Sequence, residues 1–132
     1  MQSSPRTQYT LAFLTSALLA TTASSIASSA DLPDGLAAGW KGQKTCENLH
    51  EDDQIRVLRC TFPPGVGHER HYHPRVFGYV LSGGKMQVTS AKGTETFEDK
   101  VGDNWVSDPI EWHEGVNVGD TTVSYLVVEL KD

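Results

Sequence analysis

Three histidines, His68, His71 and His73, fall within six residues of a chain that holds only five. A neutral imidazole offers a nitrogen lone pair near pH 7, so it serves as metal ligand, base or hydrogen-bond partner. In a strand, residues two apart point to one face, about 6.5–7 Å apart along the backbone. His71 and His73 would then share a face, with Tyr72 on the other, and their rings can converge on one ion. A His-x-His pair taken alone reads equally well as a surface or hydrogen-bonded pair. His68 falls in the glycine-bearing turn before the strand and reads as a solvated residue. His50, inside "LHEDDQ", reads as part of a hairpin loop. Other chemistries lack their residues. No serine sits in a Gly-x-Ser-x-Gly elbow, no glycine-rich phosphate loop opens a helix, and "ERHYHP" is not a helical His-Glu-x-x-His zinc motif.

The elements that must position these side chains are strands. After residue 40 no long 3.6-residue stripe appears, and Gly and Pro recur too often for helices. "IRVLRCTF", "VFGYVLSG", "KMQVTS", "TETFED", "NWVSD" and "TVSYLVVEL" are short, partly alternating and rich in β-branched or aromatic residues. "PPGVG", "SGG", "AKG", "VGD", "DPIE" and "NVGD" separate them as turns. This spacing predicts an all-β antiparallel sandwich or small barrel. The last strand places Val123, Tyr125 and Val127 on one face and Ser124, Leu126 and Val128 on the other, the pattern of an interior strand. Trp105, Trp112, Phe77 and Tyr79 read as core aromatics.

The first thirty residues read as an export signal: Arg6, the apolar run "LAFLTSALLA", then small residues with Ser28 and Ala30 at the −3 and −1 positions of a cleavage site. The run is well short of the ~20 residues a spanning helix needs. The expected product is periplasmic or secreted, with no stable membrane insertion after cleavage. Residues 31–54 form an N-terminal segment with the first hairpin strand, and 55–132 the main domain. The whole chain carries a formal charge of −6, and the segment after Ala30 about −7. That balance disfavours nucleic acid and anionic membranes, and leaves a small-molecule ligand or a bound cation. In an oxidising compartment Cys46 and Cys60, opposed across a hairpin around "HEDDQ", can form a disulfide; two buried free thiols are the alternative.

Two glycine-led segments carry a family resemblance. Gly65 is followed by five residues and then His71-Tyr72-His73, with Gly83 or Gly84 closing the segment. Gly102, Pro109, His113 and Asn117 mark the second, with Glu111 near the place of a usual glycine. Together they resemble the two motifs of the cupin superfamily, over roughly Ile55 to Leu130. The resemblance implies a cupin-type jelly-roll barrel with a metal inside, held by His71, His73 and His113. One divalent metal is expected, with Fe(II) favoured and Zn, Mn, Cu or Ni as alternatives.

The family's glutamate ligand is absent, since Phe77 stands about four residues past His73. Three arrangements are open: a three-histidine site, recruitment of Glu69 or Glu111, or a cavity that has lost its metal. Phe77 and Tyr79 share the parity of His71 and His73 and are expected to wall the cavity. Arg75 shares it too, either pairing with a substrate carboxylate or exposed at the mouth. The enzyme reading is a mononuclear non-haem iron oxygenase acting on a small molecule, within a family that also includes isomerases, epimerases and decarboxylases. A non-catalytic module binding a sugar or small acid is the alternative, and a homodimer is expected in either case.

Overall fold

The structure, a computed structural model, describes residues 31–132; the expected export signal, residues 1–30, lies outside the described residues. Short alternating segments become β1 (Gly39–Trp40), β2 (Gln43–Lys44), β3 (Cys46–Glu51), β4 (Ile55–Phe62), β5 (Gly67–His73) and β6 (Val76–Ser82). They continue as β7 (Gly84–Ser90), β8 (Gly93–Asp99), β9 (Asn104–Ser107), β10 (Ile110–Asn117) and β11 (Val123–Leu130). One sheet runs β3-β4-β11-β6-β9 and the other β5-β10-β7-β8, with β1 and β2 as a separate hairpin. Every strand pairing is antiparallel.

The two sheets face each other, and their inward residues make the core. Leu58, Cys60 and Phe62 come from β4, Val76 from β6, Met86 from β7, and Val123 and Val127 from β11. β11 lies between β4 and β6, as its two apolar faces predict. β8, an edge strand, carries Glu95, Glu98 and Asp99, and such charges deter pairing with a second chain. No helix among the described residues is long and apolar enough to cross a membrane.

The segment before residue 55 is built into the same body. β3 pairs with β4 along its length, and Asp34 bridges to Tyr72 beside β5. Cys46 and Cys60 are direct partners across β3 and β4 and are joined by a disulfide inside the core. Closing a loop of this size removes freedom from the unfolded chain. Cys46→Ala is expected to lower unfolding free energy by about 2–4 kcal/mol, read as a lower urea midpoint with a slope equal or steeper, because the uncross-linked unfolded chain exposes more surface.

Candidate metal centre

His71 and His73 point inward from β5 with Tyr72 exposed between them, as strand parity requires. β10 lies beside β5, and His113 is the register partner of His71. The Nε2 of His71 is 2.9 Å from that of His73 and 2.9 Å from that of His113. All three rings thus present ligand atoms to one point.

Hydrogen bonds fix which nitrogen is free. The Nδ1 of His71 donates to the Glu69 carbonyl at 2.6 Å, and that of His73 donates to Glu129 Oε1 at 2.7 Å. With Nδ1 carrying the proton, the Nε2 of a neutral ring is a bare lone pair. Burial first, then the charges of neighbouring imidazoles, hold His71 well below the ordinary histidine range and bring His113 to about 3. Lone pairs facing one another this closely repel unless a cation sits among them. Two nitrogens each about 2.1 Å from one ion lie about 3.0–3.4 Å apart, close to the spacing seen. The donor set fits a divalent metal.

Two β-bulges decide which neighbours reach the site. Opposite Glu114 of β10 stand two residues of β5, Glu69 and Arg70; opposite Tyr72 of β5 stand two of β10, Glu111 and Trp112. Each bulge breaks the alternation. Both candidate carboxylates therefore miss the centre, contrary to the parity expectation. Glu69 is exposed and accepts the Lys41 N–H at 2.8 Å, and Glu111 is exposed on the outer face. The same bulge corrects the reading of His68: it is buried at 6% exposure, its ring centroid 3.7 Å from that of His71. Burial and the His73 charge lower it to about 4. His50 lies on the surface, as expected, 3.0 Å from Asp52.

Phe77, Tyr79 and Arg75 do not line the cavity. The turn at Pro74–Arg75 resets the alternation, so Val76, Gly78 and Val80 face inward on β6 and Arg75 is exposed. Nor are the aromatics core residues. Phe77 and Tyr79 are half-buried, and Trp112 is half-buried with the Arg70 guanidinium 3.9 Å over its ring. Trp105 is 39% exposed at the cavity rim.

Glu129, at 1% exposure, was hidden in the sequence by its apolar neighbours. Its signal was available: the series Val123, Tyr125, Val127 continues to Glu129 on the same inward face. Its second oxygen accepts from Arg56 Nε at 2.6 Å, and Arg56 Nη1 donates to Asp34 Oδ2 at 2.9 Å. A relay Asp34–Arg56–Glu129–His73 therefore anchors one imidazole to the N-terminal segment. Gly35 completes the support. A Cβ there would come within 2.2 Å of His73 Cε1, so only glycine lets the backbone lie against that ring.

The histidines open into a cavity of about 450 Å³ between the sheets. Its walls are mostly apolar, including Val76, Met86, Val88, Ile110 and Val127, and no Lys or Arg among the described residues lines it.

Two facing antiparallel sheets with inward imidazoles from both motifs define a β-sandwich protein with a metal-capable centre. The cupin-domain family model matches residues 58–129, more than half of the chain. The chain belongs to the cupin superfamily.

A cupin domain from Bordetella pertussis is 19% identical, covers 66% of this chain and 92% of its own, and superposes with a TM-score of 0.62. A predicted oxalate decarboxylase from Thermotoga maritima is 20% identical, with coverages of 79% and 96% and a TM-score of 0.56. A polyketide cyclase from Streptomyces resistomycificus is 20% identical, with coverages of 80% and 78% and a TM-score of 0.56. At these identities the likeness establishes the fold. No curated protein matches the sequence.

Proposed function

We propose that this protein is an exported, single-domain cupin that holds one divalent metal on His71, His73 and His113 and acts as a mononuclear non-haem iron oxygenase on a small molecule. The observation that carries the reading is the convergence of three Nε2 atoms at the wall of an apolar cavity. Three neutral imidazoles suit Fe(II), and also Zn, Mn, Cu or Ni. Iron is favoured because an oxygenase needs a redox-active metal, and a set of three protein ligands would leave it open to a small molecule. A bound metal supplies Lewis-acid polarisation and, where redox-active, electron transfer.

The chain's own residues do the rest. Glu129 and the Glu69 carbonyl hold the Nδ1 protons and so aim the rings. Met86, Val88 and Ile110 keep bulk water from the reacting end. A cavity of this size suits a small organic ligand. The names of two solved neighbours, a predicted oxalate decarboxylase and a polyketide cyclase, favour an enzymatic role. The leader-like residues 1–30 and the Cys46–Cys60 disulfide support export to an oxidising compartment.

One observation favours the second reading, a non-catalytic binding module: no carboxylate joins the three histidines among the described residues. Metal analysis of protein purified from its native compartment separates the two. Near-stoichiometric iron, with oxygen uptake that depends on an added small molecule, is the expected result. A chain isolated without metal, and inert to oxygen after iron is supplied, is the binding module.

A further inference from the structure

The end of the cavity away from the histidines has a chemistry of its own. β8 and β9 are edge strands of the two sheets, joined by the short turn 100–103, and the cavity reaches the seam between them. Phe97, Asp99, Asp103, Trp105 and Tyr125 line it there. Tyr125 is four residues from Glu129 on β11. At the usual strand rise Tyr125 stands on the order of 13 Å along β11 from Glu129, whose carboxylate holds His73.

The group is held in place. The Trp105 ring lies against Gly78, where a Cβ would come within 2.2 Å of it, and meets Tyr125 edge-on at 5.6 Å. The Tyr125 hydroxyl donates to Asp99 Oδ2. Burial, then Asp99 itself, pushes that hydroxyl far above the ordinary phenol range, so it stays protonated and the carboxylate stays the acceptor. Asp103 Oδ2 accepts the Lys100 N–H at 2.9 Å, which sets a second carboxylate at the seam. With no Lys or Arg among the described lining residues, no ammonium or guanidinium of these faces either carboxylate from within the cavity. Aromatic faces attract cations, and carboxylates beside low-dielectric walls reinforce the attraction.

We propose that the seam is a cation-recognition subsite. It selects ligands whose apolar body ends in an ammonium group, the opposite end lying toward the histidines. The inference rests on the cavity being the ligand site, as proposed above, and not on which metal it holds. A ligand ending in a carboxylate would meet Asp99 and Asp103 as like charges.

Calorimetric titration of the protein, as purified and after chelation, with hexyltrimethylammonium, hexanol and hexanoate tests the subsite. Hexyltrimethylammonium is expected to bind about tenfold or more tighter than hexanol, and hexanoate more weakly than either. Asp99→Asn keeps an acceptor for Tyr125 and should remove most of that preference while leaving hexanol within about twofold. Trp105→Leu should do the same; its thermal melt shows whether the seam has stayed folded, and the nearly isosteric Asp99→Asn decides if it has not. Equal binding of hexanol, a preference that survives Asp99→Asn, or no binding by any probe overturns the proposal. Cation selectivity in a chain that takes up no metal would sink the metal reading alone. Full metal loading without selectivity would sink only the subsite.

Discussion

Protein carrying His71→Ala is expected to emerge from purification with less than about a tenth of a metal ion per chain, against nearly one for the unaltered protein. His71 supplies the nitrogen that stands 2.9 Å from each of the other two, so its removal leaves His73 and His113 without their shared neighbour. Two imidazoles alone make a far weaker site than three. His113→Ala should give the same loss, and the fold should survive both changes. The buried cluster of Leu58, Phe62, Val76, Val123 and the disulfide contains none of the three histidines. A cost of about 0.5–3 kcal/mol is the ordinary range for such a substitution.

A second reading of the same experiment is thermal. Metal that binds only the folded state raises its melting temperature; addition of metal should do so for the unaltered protein and for neither variant. Glu69→Gln and Glu111→Gln are the controls, and both should keep full metal content because both side chains lie outside. Stoichiometric metal in either histidine variant refutes the ligand assignment. Loss of metal in Glu69→Gln would make that carboxylate a ligand after all.

Much of this architecture was legible in the sequence where the inward face is apolar. β4, β7 and β11 are partly alternating runs of apolar and β-branched residues, and their spans agree with the runs "IRVLRCTF", "KMQVTS" and "TVSYLVVEL" to within a residue. β5 and β10 were harder to see because histidines take the inward places that Val or Leu would occupy elsewhere. The sequence reads as a strand only around His71 and His73, with His68 in a turn and "DPIE" as a turn, although β5 begins at Gly67 and β10 at Ile110. The metal-site strands hide for the same reason that they matter.

Parity failed at particular joints. It holds from His71 to His73, fails at the bulges around Glu69–Arg70 and Glu111–Trp112, and does not cross the turn at Pro74–Arg75. Bulges leave no mark in composition, so parity puts Glu69 and Glu111 on the inward face; the turn misplaces Phe77 and Tyr79, and leaves Arg75 exposed, the second of its two readings. Asp34, Arg56 and Gly35 were invisible for a different reason. Their contacts with one another, with Glu129 and with His73 span 22 to 73 residues of chain, and nothing local in the sequence signals them.

Glu129→Ala is expected to be among the most destabilising single changes in this protein. The carboxylate is 1% exposed and joins His73 to Arg56. Removing it leaves a guanidinium at 14% side-chain exposure with only Asp34 as partner, and a ring N–H with no acceptor. Breaking a buried pair from one side typically costs about 3–5 kcal/mol, because the remaining charge keeps its desolvation penalty. Glu129→Gln separates structure from electrostatics. The amide keeps the shape and its oxygen can still accept the Nδ1 proton, while its NH2 faces Arg56 without a bond. The stability loss should therefore be smaller than in Glu129→Ala but not nil, and the side chain no longer carries the charge that makes the imidazole a stronger donor to a metal. Loss of such a supporting carboxylate typically weakens metal affinity about 10–100-fold. Titration with a competing chelator should find Glu129→Gln weakened by that amount while urea denaturation of the metal-free form shows most of the stability retained. If Glu129→Gln binds metal as tightly as the unaltered protein, the relay from Asp34 to His73 is a structural tie and nothing more.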